Sequence, residues 1–376
     1  MASTFALGLL VVAALLHLGL WGTLLLNLAY LRRMPAPDPA SPPSLSVCIP
    51  ARNEAENLRR LLPTLLEQDY PSFEVIVCDD GSEDETWAVL QSFDTPVLRA
   101  VAGEGPPEGW IGKVHALYQC TRRASGDRYL FLDADAELTG PDALRQLVGK
   151  HETADSGVTT GLPRLRGAAA LLVSLVPYSL LTGLPWPLVP RTRLPALSAL
   201  NGQCWLIDAA LYHRHEPHER LRNAVLEDVA IGRYLKRQGH PPILRNVQSH
   251  VSVYMYDGFW AAWAGFRKNA YLLLGGAPIP FVGMYGYFLF TWVVAPILSP
   301  WFLVSLYGLK WTTDRANGFA STTTLWAPLS FVLGLVLQLD SAVHHWTDRV
   351  TWKGRSVPSS RPPEERRPST SPENSA

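Results

Sequence analysis

An α/β domain held between membrane-spanning helices is the architecture this sequence predicts, and three observations predict it. Residues 5–31 carry no charged side chain and are long enough to cross the roughly 30 Å hydrocarbon core of a bilayer as a helix. From about 44 to 248, short apolar runs alternate with amphipathic stretches, the pattern of βαβ units. Two further apolar blocks follow at 281–309 and 324–343. Composition agrees with such a mixture, since 47% of the 376 residues are hydrophobic and only 18% charged. The 33 basic and 33 acidic side chains cancel, which leaves no electrostatic case for a nucleic-acid polymer as ligand.

Residues 1–33 read as an N-terminal transmembrane anchor. A cleaved signal peptide would need a basic start and a short apolar core, and neither is present. Arg32 and Arg33 follow the apolar run, so the positive-inside rule places the downstream chain in the cytoplasm. Residues 34–43, rich in Pro and Ala, form a stiff linker. At the other end, 281–343 reads as a transmembrane hairpin whose connection carries Lys310, Asp314 and Arg315. Lys353, Arg355, Arg361, Arg366 and Arg367 then place the C-terminus in the cytoplasm as well. The expectation is a multi-pass protein of the cell membrane with its central domain facing the cytoplasm. The tail at 356–376, with almost nothing to bury, reads as disordered.

Two segments lie between these limits. Residues 168–190 are nearly chargeless but broken by Pro177, Pro185, Pro187 and Pro190. A crossing there would put Asp228 on the opposite side of the membrane from Asp133 and Asp135, so an interfacial or re-entrant segment is expected. Residues 251–280 contain Trp260, Trp263, Phe266, Arg267, Lys268 and Asn269, a mixture typical of an amphipathic helix at the bilayer boundary. The four cysteines, Cys48, Cys78, Cys120 and Cys204, are widely spaced, show no C-x-x-C pair, and read as buried thiols.

Within 44–250 the elements follow from periodicity. A strand at 45–50 ends at a proline, a helix at 53–67 carries Leu58, Leu61, Leu62, Leu65 and Leu66 on one side, and a second strand covers 73–78. Gly81-Ser82 turns the chain into a helix at 84–91, and 129–132 is a further buried strand. Ligands of such sheets bind beyond the carboxyl ends of the strands. Those ends read Pro50-Ala51-Arg52-Asn53-Glu54, Asp79-Asp80-Gly81-Ser82, and Asp133-Ala134-Asp135. Carboxylates gathered at one edge repel one another, and a divalent cation or a hydrogen-bonding ligand compensates them.

The run from Val47 to Thr86, with Asp133-Ala134-Asp135 and Glu227-Asp228, resembles the family 2 glycosyltransferases, whose GT-A fold is a Rossmann-like mixed sheet that binds nucleotide sugars. Gly109-Trp110-Ile111-Gly112-Lys113, Gly202-Gln203 and Trp352-Lys353-Gly354-Arg355 resemble the membrane-anchored branch of that family, which includes carotenoid- and hopanoid-associated transferases. The likeness covers about 44 to 248.

The resemblance implies a role for each motif. Asp79 of the Asp79-Asp80 pair would accept the N3–H of uracil, with Pro50, Ala51, Arg52 and Glu54 against base and ribose. The same turn also reads as a helix cap built on Ser82 or Asp84. Asp135 would ligate a Mg²⁺ or Mn²⁺ that neutralises the donor diphosphate, with Asp133 on the ribose or behind the metal. Asp228 would take the proton of the acceptor, although its place before an amphipathic stretch also suits a cap. Glu227 is open between direct and capping roles. Lys113 could reach a phosphate or sugar oxygen, and Trp110 could stack on a ring or anchor the loop in lipid. Asn201-Gly202-Gln203 falls near donor or acceptor, or is a simple turn.

These expectations combine into a single inverting transfer from a nucleotide sugar, UDP-linked, to a lipid acceptor such as a polyisoprenoid. The lipid acceptor follows from the architecture, because an enzyme acting on soluble substrates has little use for three membrane segments. The Q-x-x-R-W signature of processive synthases is missing, which favours one transfer over chain growth. Phe131 to Asp135 also looks like the start of a haloacid-dehalogenase phosphohydrolase, but Glu137 stands where that family needs Thr or Val. A non-catalytic membrane scaffold is the remaining alternative.

Overall fold

The computed structural model describes residues 2–32, 41–352 and 355–356. Most of the expected linker, the expected tail beyond Ser356, and the flanking cations Arg33, Lys353, Arg361, Arg366 and Arg367 lie outside the described residues. Helix α1 (Ala2–Arg32) leads into a seven-stranded sheet of order β3-β2-β1-β4-β8-β6-β9. Its strands are β1 (Leu45–Ala51), β2 (Phe73–Asp79), β3 (Leu98–Ala102), β4 (Arg128–Leu132), β6 (Val158–Leu162), β8 (Cys204–Asp208) and β9 (Ile243–Asn246). All run parallel except β8, which is antiparallel to both its neighbours. The sheet is therefore mixed, as the α/β expectation required.

Alternation along the strands builds two cores. Val47, Ile49, Val75 and Val77 point to the face covered by α2 (Ala55–Leu66) and α5 (Ala143–Glu152). Cys48, Ile76, Cys78 and Phe131 point to the other face, against α4 (Gly112–Thr121) and α10 (Glu227–Arg237). All four cysteines are free and buried, as expected. Burial pushes the Cys204 thiol up to about 12, so it is an inert packing group.

A second, three-stranded sheet of order β5-β10-β7 joins β5 (Ala136–Leu138), β7 (Arg164–Arg166) and β10 (Val251–Tyr254). It accounts for part of the segment expected at the bilayer boundary. Val251 and Val253 are fully buried and paired in that sheet, and the helix after them, α11 (Phe259–Leu273), carries the strongly exposed Trp260. Gly167 (φ +149°) permits the close passage of β7 and the chain after β10, since a Cβ there would lie 1.9 Å from the Met255 carbonyl oxygen.

The first helices are shorter than periodicity suggests, for a local reason. Asp84 is spent on capping bonds, its Oδ1 accepting from Thr86 N–H and its Oδ2 from Ala55 N–H. Helix α3 therefore starts at Thr86 (Thr86–Gln91), and α2 starts at Ala55.

The apolar part packs beside the sheet edge. Short helices α6 (Ala170–Val173) and α7 (Leu175–Gly183) together extend about 21 Å, less than a bilayer core, and Asn27 of α1 ties them down. Its amide donates to the Leu181 and Leu184 carbonyls and its oxygen accepts from Trp186 N–H. After α8 (Ala209–His215), α9 (Pro217–Arg220), α10 and α11 comes an apolar helical stretch, α12 (Pro278–Leu289), a π-helical turn (Phe290–Val294) and α13 (Ala295–Leu298).

The block expected at 281–309 is divided, because Ser299 is extended and Pro300 opens a new helix, α14 (Pro300–Asn317). Lys310 and Asp314, expected in a connection, lie inside α14 as a buried ion pair, with Ser174 and Thr324 completing their hydrogen bonds. Helices α15 (Ser321–Leu325) and α16 (Ala327–Trp346) follow. Among the described residues, three helices are long and apolar enough to cross a membrane: Thr4–Arg32, Pro278–Leu298 and Ala327–Trp346.

Candidate active site

The loops after β1 and β2 form one laced structure. Asn53 adopts a left-handed conformation (φ +52°), donates its N–H to Ser82 Oγ at 2.8 Å, and accepts from Glu83 N–H at 2.8 Å. Arg52 Nη1 donates to the Asp80 carbonyl at 2.9 Å, and Glu54 N–H donates to Thr86 Oγ1 at 2.8 Å. Asp79 Oδ1 accepts from both Ser82 N–H and Ser82 Oγ, which closes the turn itself, while of the two residues foreseen as a cap only Asp84 accepts from the first N–H of α3. Pro50 and Ala51 end β1 directly beside Cys78 and Asp79 of β2. The whole set from Pro50 to Glu54 thus meets Asp79 and Asp80 at one edge, as the sequence predicts.

A few ångströms along that edge the Asp133-Ala134-Asp135 turn links β4 to β5. Ala136 N–H donates back to the Asp133 carbonyl at 3.1 Å, and Tyr254 N–H from β10 donates to the Asp135 carbonyl at 2.9 Å. Asp133 Oδ1 accepts from Lys113 Nζ at 2.7 Å, and the same ammonium lies 3.1 Å from Glu227 Oε1. One lysine, from the first turn of α4, therefore bridges the D-x-D turn and the acidic dipeptide of α10. Trp110 folds back on His115 and Tyr118, with ring centroids 5.3 and 5.0 Å apart.

Asp228 is held by backbone. Its Oδ2 accepts from Gly202 N–H at 3.0 Å and its Oδ1 from Val229 N–H at 2.7 Å. Gly202 lets the groups approach closely, since a Cβ there would sit 3.1 Å from Asp228 Oδ2 and 3.4 Å from Lys113 Nζ. Asn201 braces the turn through Thr160 Oγ1 and the Gly161 carbonyl, and Gln203 offers its carbonyl to Asp133 N–H. The Asn201-Gly202-Gln203 turn therefore touches both Asp228 and Asp133.

Adjacent carboxylates take opposite electrostatic characters. Burial alone would raise Glu227, but Lys113 and then Lys268 outweigh it and hold its carboxyl below the usual range. Burial, then the Glu227 charge, push Asp228 up to about 6. Burial works to lower Lys113, but Asp133 and Glu227 hold it well above the usual lysine range. Neighbouring groups pushed apart in this way suit one charged anchor and one proton acceptor.

Two side chains escaped the sequence reading of the site. Lys268 of α11 places its charge on Glu227, Asp228 and Asp133, and burial lowers its own value. Tyr256, also left-handed (φ +60°), lies near Asp135 and Asp133, which, after burial, raise its phenol well above the usual range. Its ring covers Gly265 of α11, where a Cβ would meet the hydroxyl at 2.2 Å. The available signal was geometric: neighbours on a helix point about 100° apart, so Arg267 and Lys268 could not serve one surface. Arg267 does turn to α16, 3.7 Å from Asp340.

The mixed sheet with its strand-end loops and carboxylates gathered along one edge is a GT-A fold, and comparison with known proteins places it there as well. Residues 46–214 match the description Glycosyl transferase family 2. That match and the relative described next mark the chain as a glycosyltransferase. It is similar to the 4,4'-diaponeurosporenoate glycosyltransferase of Staphylococcus aureus, 26% identical over 345 residues that span 83% of this chain and 88% of that protein. Among solved structures it is similar in fold to the mannosyltransferase PcManGT from Pyrobaculum calidifontis, in complex with GDP-Man and Mn2+. The TM-score is 0.54 at 20% identity, covering 91% of this chain and 99% of that one.

Proposed function

We propose that this glycosyltransferase moves one sugar from a UDP-linked donor to a hydroxyl or carboxyl of a hydrophobic acceptor of the polyisoprenoid type, with inversion. The observation that carries the reading is the split between Glu227, charged and tied to Lys113, and Asp228, raised to about 6 and held by two backbone N–H groups. In the transfer, the acceptor oxygen bonds to the anomeric carbon, the bond to the diphosphate oxygen breaks, and Asp228 accepts the acceptor's proton. Glu227 and Lys113 keep their charges throughout and fix the position of α10 against Asp133.

On the donor side, Asp79 gives Oδ1 to its own loop, which leaves Oδ2 for the N3–H of uracil. Pro50, Ala51, Arg52, Glu54 and Asp80 surround base and ribose. Among the described residues no group of three or more His, Cys, Asp and Glu side chains could hold a metal. The carboxylates of Asp133 and Asp135 are hard oxygen donors, which suit a cation that takes one or two carboxylates and would complete its shell with diphosphate oxygens. Asp135 is the proposed ligand and Asp133, already paired to Lys113, its support. When bound, Mg²⁺ or Mn²⁺ stabilises the charge of the leaving diphosphate.

A lipid acceptor is supported by the helices long enough to cross a membrane, by the exposed Trp260 on the helix that carries Lys268, and by the relative named for 4,4'-diaponeurosporenoate. Arg32, at the end of the first of these helices, supports a cytoplasmic catalytic domain. The test is full-length protein incubated with UDP-hexoses or GDP-mannose and a membrane lipid extract, followed by mass spectrometry. One added hexose or N-acetylhexosamine on a lipid, from the UDP donor, is expected. Transfer only to water-soluble acceptors, or a ladder of additions, would contradict the proposal.

A further inference from the structure

At the far edge of the main sheet from the nucleotide loops, the end of α1 closes on β9, and Leu31 packs with Leu162 and Leu244. Beside this contact is a cavity of about 330 Å³ whose lining includes Leu31, Lys150, Arg164, Arg245 and Gln248. Strands β6 and β8 separate β9 from β4, a distance of about 14 Å, so the cavity is separate from the donor site. None of its lining residues is acidic.

The three cations come from three elements. Lys150 lies in the last turn of α5, Arg164 opens β7, and Arg245 lies within β9. Arg245 is only 6% exposed. Its guanidinium is oriented by bonds to the Lys150 carbonyl at 2.9 Å and Thr153 Oγ1 at 2.8 Å, and the exposed Asp155 and Tyr30 also act on it. Burial, and to a smaller extent the Arg245 charge, lower Lys150, so some like-charge repulsion acts between the two. An anion bound between them offsets that repulsion, and arginines grip phosphate in particular through two parallel N–H bonds.

Position identifies the source of the anion. The Arg164 guanidinium lies against Gly318, the cap of α14, where a Cβ would be 3.5 Å from Cζ. Gln248 Nε2 donates to Asn317 Oδ1 at 2.6 Å. The rim is thus built from the end of α1, which is long and apolar enough to cross a membrane, and from the polar end of α14 beside it; the end of a spanning helix is where lipid headgroups reside. The volume lies at the small end of ligand sites, enough for a headgroup phosphate. We propose that this basic cavity binds the phosphate of an anionic phospholipid headgroup.

The test is native mass spectrometry of the full-length protein from mixed phosphatidylglycerol and phosphatidylcholine micelles, compared with a Lys150→Gln/Arg164→Gln variant. Arg245 is left intact because it holds α5 to β9. Wild type is expected to retain phosphatidylglycerol over phosphatidylcholine, and the double variant to lose that preference by about tenfold. A Lys150→Arg/Arg164→Lys variant should retain it, as should Arg214→Gln, at an exposed residue of α8 outside the cavity lining. Equal retention by wild type and the double variant overturns the proposal. So does displacement of the lipid by millimolar inorganic phosphate, which would mark a site for free anions. Neither result depends on sugar transfer.

Discussion

The proposed donor edge and the proposed acid–base cluster are assembled differently. At the donor edge, Arg52, Asn53 and Glu54 meet Asp80, Ser82 and Thr86 through side-chain-to-backbone bonds between two consecutive strand ends. Opposite it, Lys113, Asp133, Gly202, Asp228 and Lys268 come from five separate parts of the chain and meet through charge and close approach. One half of the site is a local motif, and the other exists only when the fold and the helices beside it are complete. Substitutions in the cluster should therefore disturb chemistry and pH response, while those in the donor loops should disturb donor binding.

The largest expected effect is at Asp228. Asp228→Asn should lower turnover by about 10²–10⁴-fold while leaving UDP binding by calorimetry intact. Its carboxyl is raised to about 6, so its charge costs folding stability above the ordinary aspartate range. The melting temperature of the Asn variant at neutral pH should accordingly be no lower than that of wild type. A large loss of UDP affinity would erase the distinction between the two halves.

Asp135→Asn should come next, with a loss of about a hundredfold and a weakened response of the residual activity to added Mn²⁺ or to chelation. An unchanged metal titration would remove Asp135 from the donor side.

Most of the donor half is legible in the sequence. Its strand ends and turn residues, with the carboxylates at Asp79, Asp133 and Asp135, stand in short continuous motifs, and a parallel sheet places them together by its topology. Glu227-Asp228 can be singled out, but nothing local tells the two apart. Their difference arises from Lys113 and Lys268, more than a hundred and about forty residues away. Lys268 is hidden because its helix reads as a bilayer-surface segment, and its orientation is set by α16. The split at Ser299-Pro300 and the Lys310–Asp314 pair escape sequence reasoning because charges in an apolar block suggest a loop, whereas an ion pair one helical turn apart is tolerated inside a packed helix.

Lys113→Met sharpens the comparison further. It removes the bridge between Asp133 and Glu227 and should cost about 1–3 kcal/mol of stability, measured by denaturant unfolding. Glu227 is held below the usual range, so its stabilisation is present above the ordinary glutamate value and fades as pH falls through the depressed one. The stability gap between wild type and variant should close at acid pH in the same sense. Without the ammonium, Asp228 should also titrate above 6.

The smallest effect concerns the helix contact that sets Lys268. Asp340 accepts from Trp263 Nε1 at 2.7 Å, Ser341 Oγ donates to the Arg267 carbonyl, and His345 Nε2 pairs with the Lys268 carbonyl at 2.9 Å. Asp340→Asn should change kcat only a few-fold, about 1 kcal/mol or less, and shift the acid limb of the rate profile without changing donor KM. A donor KM effect equal to the kcat effect would mean that α16 supports the whole domain and not Lys268 in particular.

The most direct measurement is the pH dependence of kcat/KM for the full-length enzyme with a UDP-sugar and a lipid acceptor, in wild type and Asp228→Asn. Wild type should lose activity tenfold per unit below a single break at about 6, and the variant should be flat and far slower. A variant that keeps the wild-type rate, or the same break, would show that another group takes the proton.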